Sequence, residues 1–485
     1  MNPTVRPWLY YDSTTSLCAT CHRQVSAKVV FQDERVYLRK RCPEHGLEVA
    51  LIADDIEYYR RAREDYLKPG ELPRKFHTPV HWGCPYDCGL CADHEQHSCL
   101  SIVEICDACN LSCPVCYAES GPSRQSYRTL AEVEAMLDAV VRSEGEPDVV
   151  QISGGEPCEH PELFAILDAA QARPIRHLML NTNGIRIAKE AGFADRLANY
   201  APAFEVYLQF DSFEEAALRD LRGADLREVR EQALANLEAV GLSTTLVVTL
   251  KKGLNDGECG RVIEHALGFR CVRGVTFQPI QDAGRNEAFD PEHDRLTLTE
   301  VRRKLLEQSS LFQSEDLIPV PCHPDAICMA YALKLNGEVH PLTRHVPTDV
   351  LLQGARNTIQ YERDEETRAK LFQLFSTHHS PGSAAEATEK LLCCLPGVAP
   401  TPELSYENVF RVIIMEFLDA HSFDVRSVRR SCVHMVHPED GRMIPFDTYN
   451  LFYRGELEDE HLAPLRAELD LRVAGSGAEH QPIPG

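Results

Sequence analysis

The run CNLSCPVCYAES places Cys109, Cys113 and Cys116 in one short loop, and this spacing constrains the fold more than any other feature of the chain. Three thiolates so arranged suit a cubane iron–sulfur cluster, which normally takes four, and they leave one iron open to another ligand. The apolar run at residues 101–105 reads as a strand that delivers the loop, and residues 129–143 read as an amphipathic helix that follows it. A strand, a ligand-bearing loop and a helix in that order make the first half of a repeated βα pattern. A zinc knuckle of Cys106, Cys109, Cys113 and Cys116 is the competing use of the same thiols, but it gives the downstream pattern no purpose.

That pattern continues through short apolar runs at 149–153, 177–182, 205–211, 244–250 and 274–279, each separated from the next by a helical periodicity. Together with the first strand they predict six parallel βα units. The expected fold is α/β, a partial (β/α)6 barrel whose site lies where the βα loops gather at the C-terminal ends of the strands. The cysteine loop then sits at the mouth, and an incomplete barrel is expected to leave a lateral opening. The second βα loop reads Ser153-Gly154-Gly155-Glu156-Pro157, where glycines allow a backbone edge to approach a small ligand. Asn181 and Asn183 end the third strand, Gln209, Asp211 and Ser212 the fourth, and Gln278 the sixth. The first five point toward the same mouth, either as ligand contacts or as caps of the helices that follow, and Gln278 is a separate candidate for contact with an adenine.

Cysteines also organise the flanks. Residues 1–75 carry Cys18, Cys21, Cys42 and His45 around a β-like stretch at 28–38, a ligand set for a closed tetrahedral iron or zinc site of the rubredoxin or zinc-ribbon kind. Residues 76–100 hold Cys84, Cys88, Cys91 and Cys99, enough for a fully ligated auxiliary cluster that stores or relays an electron, or alternatively for the catalytic triplet itself. The barrel is assigned to 101–281. Residues 282–473 form an α+β auxiliary-cluster domain in which Cys322, Cys328, Cys432 and Cys394 are the expected ligands, with Cys393 or His434 as alternatives for the last. The tail 474–485 reads as disordered.

Seventy-four acidic against fifty basic side chains give a net charge of −24, and no basic cluster along the sequence tracks a phosphate backbone, so nucleic-acid binding is not expected. Nineteen cysteines in tight groups, behind a start with no charged-then-apolar leader, read as metal ligands in a reducing cytoplasm rather than as disulfides. No run reaches the ~18 to 20 apolar residues that span a bilayer.

The strand, cysteine loop and helix, with Tyr117 after the third cysteine, resemble the signature of the radical S-adenosylmethionine (SAM) superfamily. More narrowly, GCPYDCGLC, HSC, CNLSCPVCYAES, ISGGEP, PCHPDAIC, PLTR and HPEDGRMIPFDTYNLFYR resemble the archaeal tetraether lipid synthase family, whose relatives have also been described as pterin methyltransferases. The resemblance runs from Cys18 to Arg454; Cys106 and Asp447 depart from it. It implies SAM chelated to the open iron of the Cys109, Cys113 and Cys116 cluster. It further implies Gly154, Gly155, Glu156 and Pro157 around the methionine end, and Asn181, Asn183, Gln209, Asp211 and Ser212 near ribose or carboxylate. Up to three [4Fe-4S] clusters and a mononuclear N-terminal metal are expected with it. The expected reaction is reductive cleavage of SAM and hydrogen abstraction from an unactivated carbon. Its purpose would be carbon–carbon bond formation between lipid chains or, alternatively, methylation of a pterin or similar small cyclic metabolite. Expected partners are a ferredoxin or flavodoxin as electron donor, a lipid or small-metabolite substrate and a peripheral membrane contact. A non-catalytic multi-cluster electron carrier is the reading of another class, and GGEP argues against it.

Overall fold

The computed structural model describes residues 6–335, 337–344 and 408–476. Cys393, Cys394 and all but the first three residues of the expected tail lie outside them; those three, 474–476, complete a helix Ala463–Ser476.

The chain begins with an antiparallel meander of β1 (Leu9–Leu17), β2 (Gln24–Gln32), β3 (Arg35–Cys42) and β4 (Gly46–Ala53). Alternation sorts its faces: Ala27, Val29, Val36 and Leu38 pack with Tyr59 of the helix Ile56–Glu64, while the residues between them face outward. The β-like stretch at 28–38 spans the hairpin of β2 and β3 that joins the two ligand pairs. Asp33 and Glu34 both take positive φ, 51° and 59°, as a two-residue hairpin turn with the twist of its strands requires.

The six expected strands follow as β5 (Leu100–Glu104), β6 (Val149–Ser153), β7 (His177–Thr182), β8 (Phe204–Gln209), β9 (Thr244–Leu250) and β10 (Val272–Pro279), parallel and adjacent in chain order. Every residue of β5 and β6 is buried, as strands covered on both faces must be. The helix Leu130–Glu144 starts at a capping box, Thr129 with Glu132, and lays Val133, Met136, Leu137 and Val140 against the sheet. β8 ends before the expected residue 211 because Asp211 takes φ 63° and turns the chain.

The chain beyond 281 does not form a separate layer in its described part. It adds β11 (Ile318–Pro319), β12 (Ile327–Leu335), β13 (Glu338–Pro341), β14 (Val409–Met415), β15 (Val433–Val436) and β16 (Met443–Pro445) to the same sheet, for twelve strands among the described residues. β14 pairs parallel with β10, Val275 opposite Val412, and β15 pairs parallel with β5, Met435 opposite Ile102. Both edges of the six-stranded core, which would otherwise expose unpaired backbone, are therefore covered. The expected lateral opening is correspondingly flanked by C-terminal strands on each side.

Candidate active site and metal centres

The cysteine loop leaves the end of β5 and is zipped to the loop after β6. Gly155 N–H donates to the Cys106 carbonyl at 2.8 Å and Glu156 N–H to the Ala108 carbonyl at 2.9 Å. This approach explains the paired glycines: a Cβ on Gly154, at φ 134°, would meet the Cys106 oxygen at 2.4 Å, and one on Gly155 the Ala108 oxygen at 2.2 Å. From the opposite side Arg285 exchanges backbone hydrogen bonds with Cys116, both 2.9 Å, and its guanidinium donates to the Cys113 and Ser120 carbonyls at 2.6 and 2.7 Å.

Cys109, Cys113 and Cys116 all face one cavity of about 170 Å³ at the C-terminal ends of the strands. Cys106 is turned away from it, its thiol against the Ala108 and Glu156 carbonyls, so a four-cysteine knuckle is not assembled. Nor are the three sulfurs drawn within 4.8 Å of one another, as they are at two other centres.

Polar side chains form a belt across the strand ends. Asn181 donates to Ser153 Oγ at 3.2 Å and accepts from Gln209 at 2.9 Å, and Gln209 Oε1 accepts from Arg222 at 2.7 Å. Gln278 donates to the Tyr207 hydroxyl at 3.3 Å. Asn181, Asn183, Gln209 and Gln278 all line the cavity.

Other expected contacts have different positions. Asp211 is fully buried beneath the cavity, paired with Arg222 at 2.7 Å and Arg230 at 2.6 Å. Burial pushes its carboxyl up, but the two guanidiniums outweigh burial and hold it at about 2. Ser212 accepts from Glu214 N–H and bonds the Glu258 carboxylate, a helix-start role outside the cavity. Pro157 opens a short 3-10 turn. Glu156 reaches the cavity wall, but its carboxylate is occupied by Cys158 N–H at 3.0 Å, Thr182 Oγ1 at 2.6 Å and Asn183 N–H at 2.8 Å. It braces the loops. Asn183 in turn donates to Asn110 of the cysteine loop at 2.7 Å.

Arg222 and Arg230, which the sequence reading does not single out, supply positive charge to the cavity wall. Arg222 contacts the Cys113 thiol. Arg230 is 1% exposed, and its Nε and Nη1 have no hydrogen-bond partner among the described residues. Buried donors in that state call for an anion. One signal was available in sequence: Arg230 interrupts the stripe it shares with Ala233, Leu234 and Leu237 on the helix Arg227–Val240.

The N-terminal ligand set is gathered as expected. Cys18, Cys21, Cys42 and His45 lie within 4.8 Å of one another. The Cys21 and Cys42 sulfurs are 3.9 Å apart, and His45 Nδ1 is 3.5 Å from both Cys18 and Cys42. Those are the edges of a tetrahedron with metal–sulfur bonds near 2.3 Å and a metal–nitrogen bond near 2.0 Å. Hydrogen bonding from His45 N–H, reinforced by Glu44 N–H, brings the Cys42 thiol down to about 6 against its burial, which favours the ligating thiolate.

The auxiliary grouping is corrected. Cys99 does not join Cys84, Cys88 and Cys91. It lies within 4.8 Å of Cys322 and Cys432, at the N-terminal end of β5. Cys84 and Cys88 contact each other, with Cys91 close by. Cys328 does not join Cys322 and Cys432: on β12 it faces the helix-side core, where its thiol meets the Tyr58 hydroxyl. His434 contacts His94 at 3.2 Å.

Residues 103–266 match the radical SAM superfamily and residues 10–54 the HMPTM N-terminal zinc ribbon domain. The chain is 29% identical over 490 residues, covering 93% of itself and 96% of the relative, to a 7,8-dihydro-6-hydroxymethylpterin dimethyltransferase of Methanocaldococcus jannaschii. It is 27% identical over 195 residues to a GTP 3',8-cyclase of Syntrophomonas wolfei, covering 39% of this chain and 58% of that enzyme. Among solved structures, a radical SAM methyltransferase from Sphaerobacter thermophilus aligns with a TM-score of 0.33 at 12% identity, over 62% of this chain and 75% of that one.

The protein is a radical SAM enzyme with an N-terminal zinc ribbon. Along nearly its whole length it is similar to a pterin dimethyltransferase.

Proposed function

We propose that this enzyme methylates a reduced pterin or a closely similar cyclic metabolite by radical SAM chemistry. The observation that carries this reading is the likeness to a pterin dimethyltransferase along nearly the whole of both chains, from zinc ribbon to C-terminal strands. A cavity walled by Asn181, Gln209 and Gln278 suits a small polar ring system. Lipid carbon–carbon coupling, the reading that the sequence placed first, has less behind it: among the described residues both edges of the six-stranded core are covered by further strands.

The residues present fit SAM and its cluster on three counts. Three thiolates face one cavity, the Gly154–Gly155 backbone leaves space beside them, and Arg230 offers unpaired donors for a carboxylate. When bound, the cluster held by Cys109, Cys113 and Cys116 supplies the electron that opens the SAM sulfonium to a carbon radical. The protein's own part is positioning. Arg222 and Arg230 bind the anionic end, the Asn181–Gln209 belt orients polar edges, and the buried strand ends keep bulk water from a reactive species. The Cys84, Cys88 and Cys91 set and the Cys99, Cys322 and Cys432 set are assigned to auxiliary clusters, and the zinc ribbon to a mononuclear ion.

Anaerobic incubation with SAM, dithionite and 7,8-dihydro-6-hydroxymethylpterin, followed by mass spectrometry, tests the reading. Expected are 5′-deoxyadenosine and methionine from one SAM, and a pterin heavier by one or two methyl groups, each methyl coming from a second SAM that leaves as S-adenosylhomocysteine, with dithionite supplying the electrons. Unmodified pterin alongside coupled lipid from the same preparation would reverse the order of the two readings. Iron analysis should give about twelve irons per chain if three cubanes are held, beyond any mononuclear iron.

A further inference from the structure

One surface is out of keeping with a chain of net charge −24. On the outward face of the zinc-ribbon sheet, Lys28 of β2 is the register partner of Arg39 on β3, and Arg41 lies two residues along the same strand face. Like charges set directly across a ladder disfavour the pairing. Lys28, Arg39 and Arg41 nevertheless form no ion pair among the described residues, although acidic side chains neutralise the adjoining Arg426 and Arg429 through Asp12 and Asp93. Arg39 is held over the Trp8 ring, 5.3 Å from its centre. The same face carries two exposed apolar residues of β4, Leu47 at 57% and Val49 at 43%. These basic residues and Leu47 line a shallow depression that also takes in Arg426 and Arg429.

Location gives the patch a purpose. Arg41 precedes the metal-site residue Cys42, and Arg429 precedes Cys432 by three residues, so its Cα lies within about 11 Å of that of Cys432. The buried trio of Cys99, Cys322 and Cys432 thus lies close behind the C-terminal wall of the depression. A radical SAM enzyme needs an electron from outside itself. Small redox proteins that carry one at low potential present acidic surfaces, and a basic, partly apolar, weakly neutralised face fits such a transient partner by charge complementarity.

We propose that the outer face of the ribbon sheet, centred on Lys28, Arg39 and Arg41, docks a small acidic iron–sulfur or flavin protein that reduces this enzyme. In each encounter one electron leaves the reduced donor, which is oxidised by one electron, and enters an iron–sulfur centre held by the enzyme, which is reduced by one. This inference rests on the radical SAM reading but not on the pterin, since cluster reduction needs no substrate.

The test is stopped-flow bleaching of the clusters in anaerobic holoenzyme, with reduced flavodoxin, reduced ferredoxin or dithionite as donor. The triple variant K28E/R39E/R41E is compared with wild type after iron and zinc contents are shown to match. The proposal predicts reduction by either protein donor at least about ten-fold slower in the variant, an advantage of wild type that fades with added salt, and unchanged reduction by dithionite. Equal rates with the protein donors, or equal slowing with dithionite, would overturn it. So would a change in sedimentation between wild type and variant, which would assign the face to a second copy of this chain. Charge-dependent binding of wild type to anionic phospholipid vesicles, with protein-donor rates unaffected, would assign it to a membrane surface and also overturn it.

Discussion

Leu100 and Val433 are register partners in the parallel pairing of β5 with β15, and the Leu100 N–H donates to the Cys432 carbonyl at 3.0 Å. The residue before Leu100 is Cys99 and the residue before Val433 is Cys432, so one strand pairing sets the two thiols side by side. Cys322, from the turn between β11 and β12, completes the trio. This centre sits at the N-terminal end of β5, whereas the Cys109 loop leaves the C-terminal end. Five strand residues at about 3.3 Å each separate the two by roughly 17 Å.

Metal content should follow this grouping. Cys99→Ala, Cys322→Ala and Cys432→Ala are each expected to remove the same iron increment, and C99A/C432A no more than either single change. C84A/C432A should lose two increments, because those residues serve different centres. Iron and sulfide assays with Mössbauer spectra check this. Additive losses in C99A/C432A would return Cys99 to the Cys84 set.

Gly155→Ala should disable the site without removing a ligand. The added methyl would stand 2.2 Å from the Ala108 carbonyl oxygen, backbone against backbone, where no flexible side chain can yield. Overpacking of this kind costs about 1–3 kcal/mol. The zip between the two loops must open to relieve it, so 5′-deoxyadenosine formation is expected to fall by at least about ten-fold, the equivalent of 1.4 kcal/mol. Thermal unfolding and single-turnover SAM cleavage measure the two effects separately.

Signals confined to a few neighbouring residues were legible in the sequence. The C-x3-C-x2-C loop, GGEP at the next strand end and the four N-terminal ligands need only local spacing and one hairpin to be recognised, and six of the parallel strands announce themselves by buried apolar runs. What depended on distant pairing was not legible. No local pattern shows that β15 lies against β5, so Cys99 was grouped by proximity in the chain instead of by register. Cys328 was misassigned because alternation along β12 turns it to the opposite face from Ile327 and Met329, and the phase of a strand is set by its neighbours. Arg285 escaped notice because its contacts are to carbonyl oxygens of a loop far away in sequence.

Asp211→Asn tests whether this carboxylate acts through its two arginines. Removing its charge leaves Arg222 and Arg230 buried with no counter-ion, and breaking a buried pair in this way costs about 3–5 kcal/mol. Arg230→Met on top of Asp211→Asn removes one stranded charge and should recover part of the loss. Denaturant unfolding of the two variants supplies the comparison. A double variant less stable than Asp211→Asn would mean that Arg230 is stabilised by something other than Asp211.

Asp447 gives the stability of the protein a pH dependence of definite sign. The residue is 2% exposed, and burial raises its carboxyl to about 7, from 3.8 in the unfolded chain. Between these values the folded state keeps a proton that the unfolded state has released, so the stability due to this group is fully present below pH 3.8 and is lost as pH rises through 7. Asparagine has no proton to lose and still offers an oxygen to the Leu418 N–H that Asp447 accepts from. Thermal midpoints of wild type and Asp447→Asn should therefore diverge as pH is raised from 5 to 8, with the variant gaining relative to wild type. A gap that stayed constant across that interval would show the carboxyl to be ionised throughout in the fold, and the burial argument for it would fail.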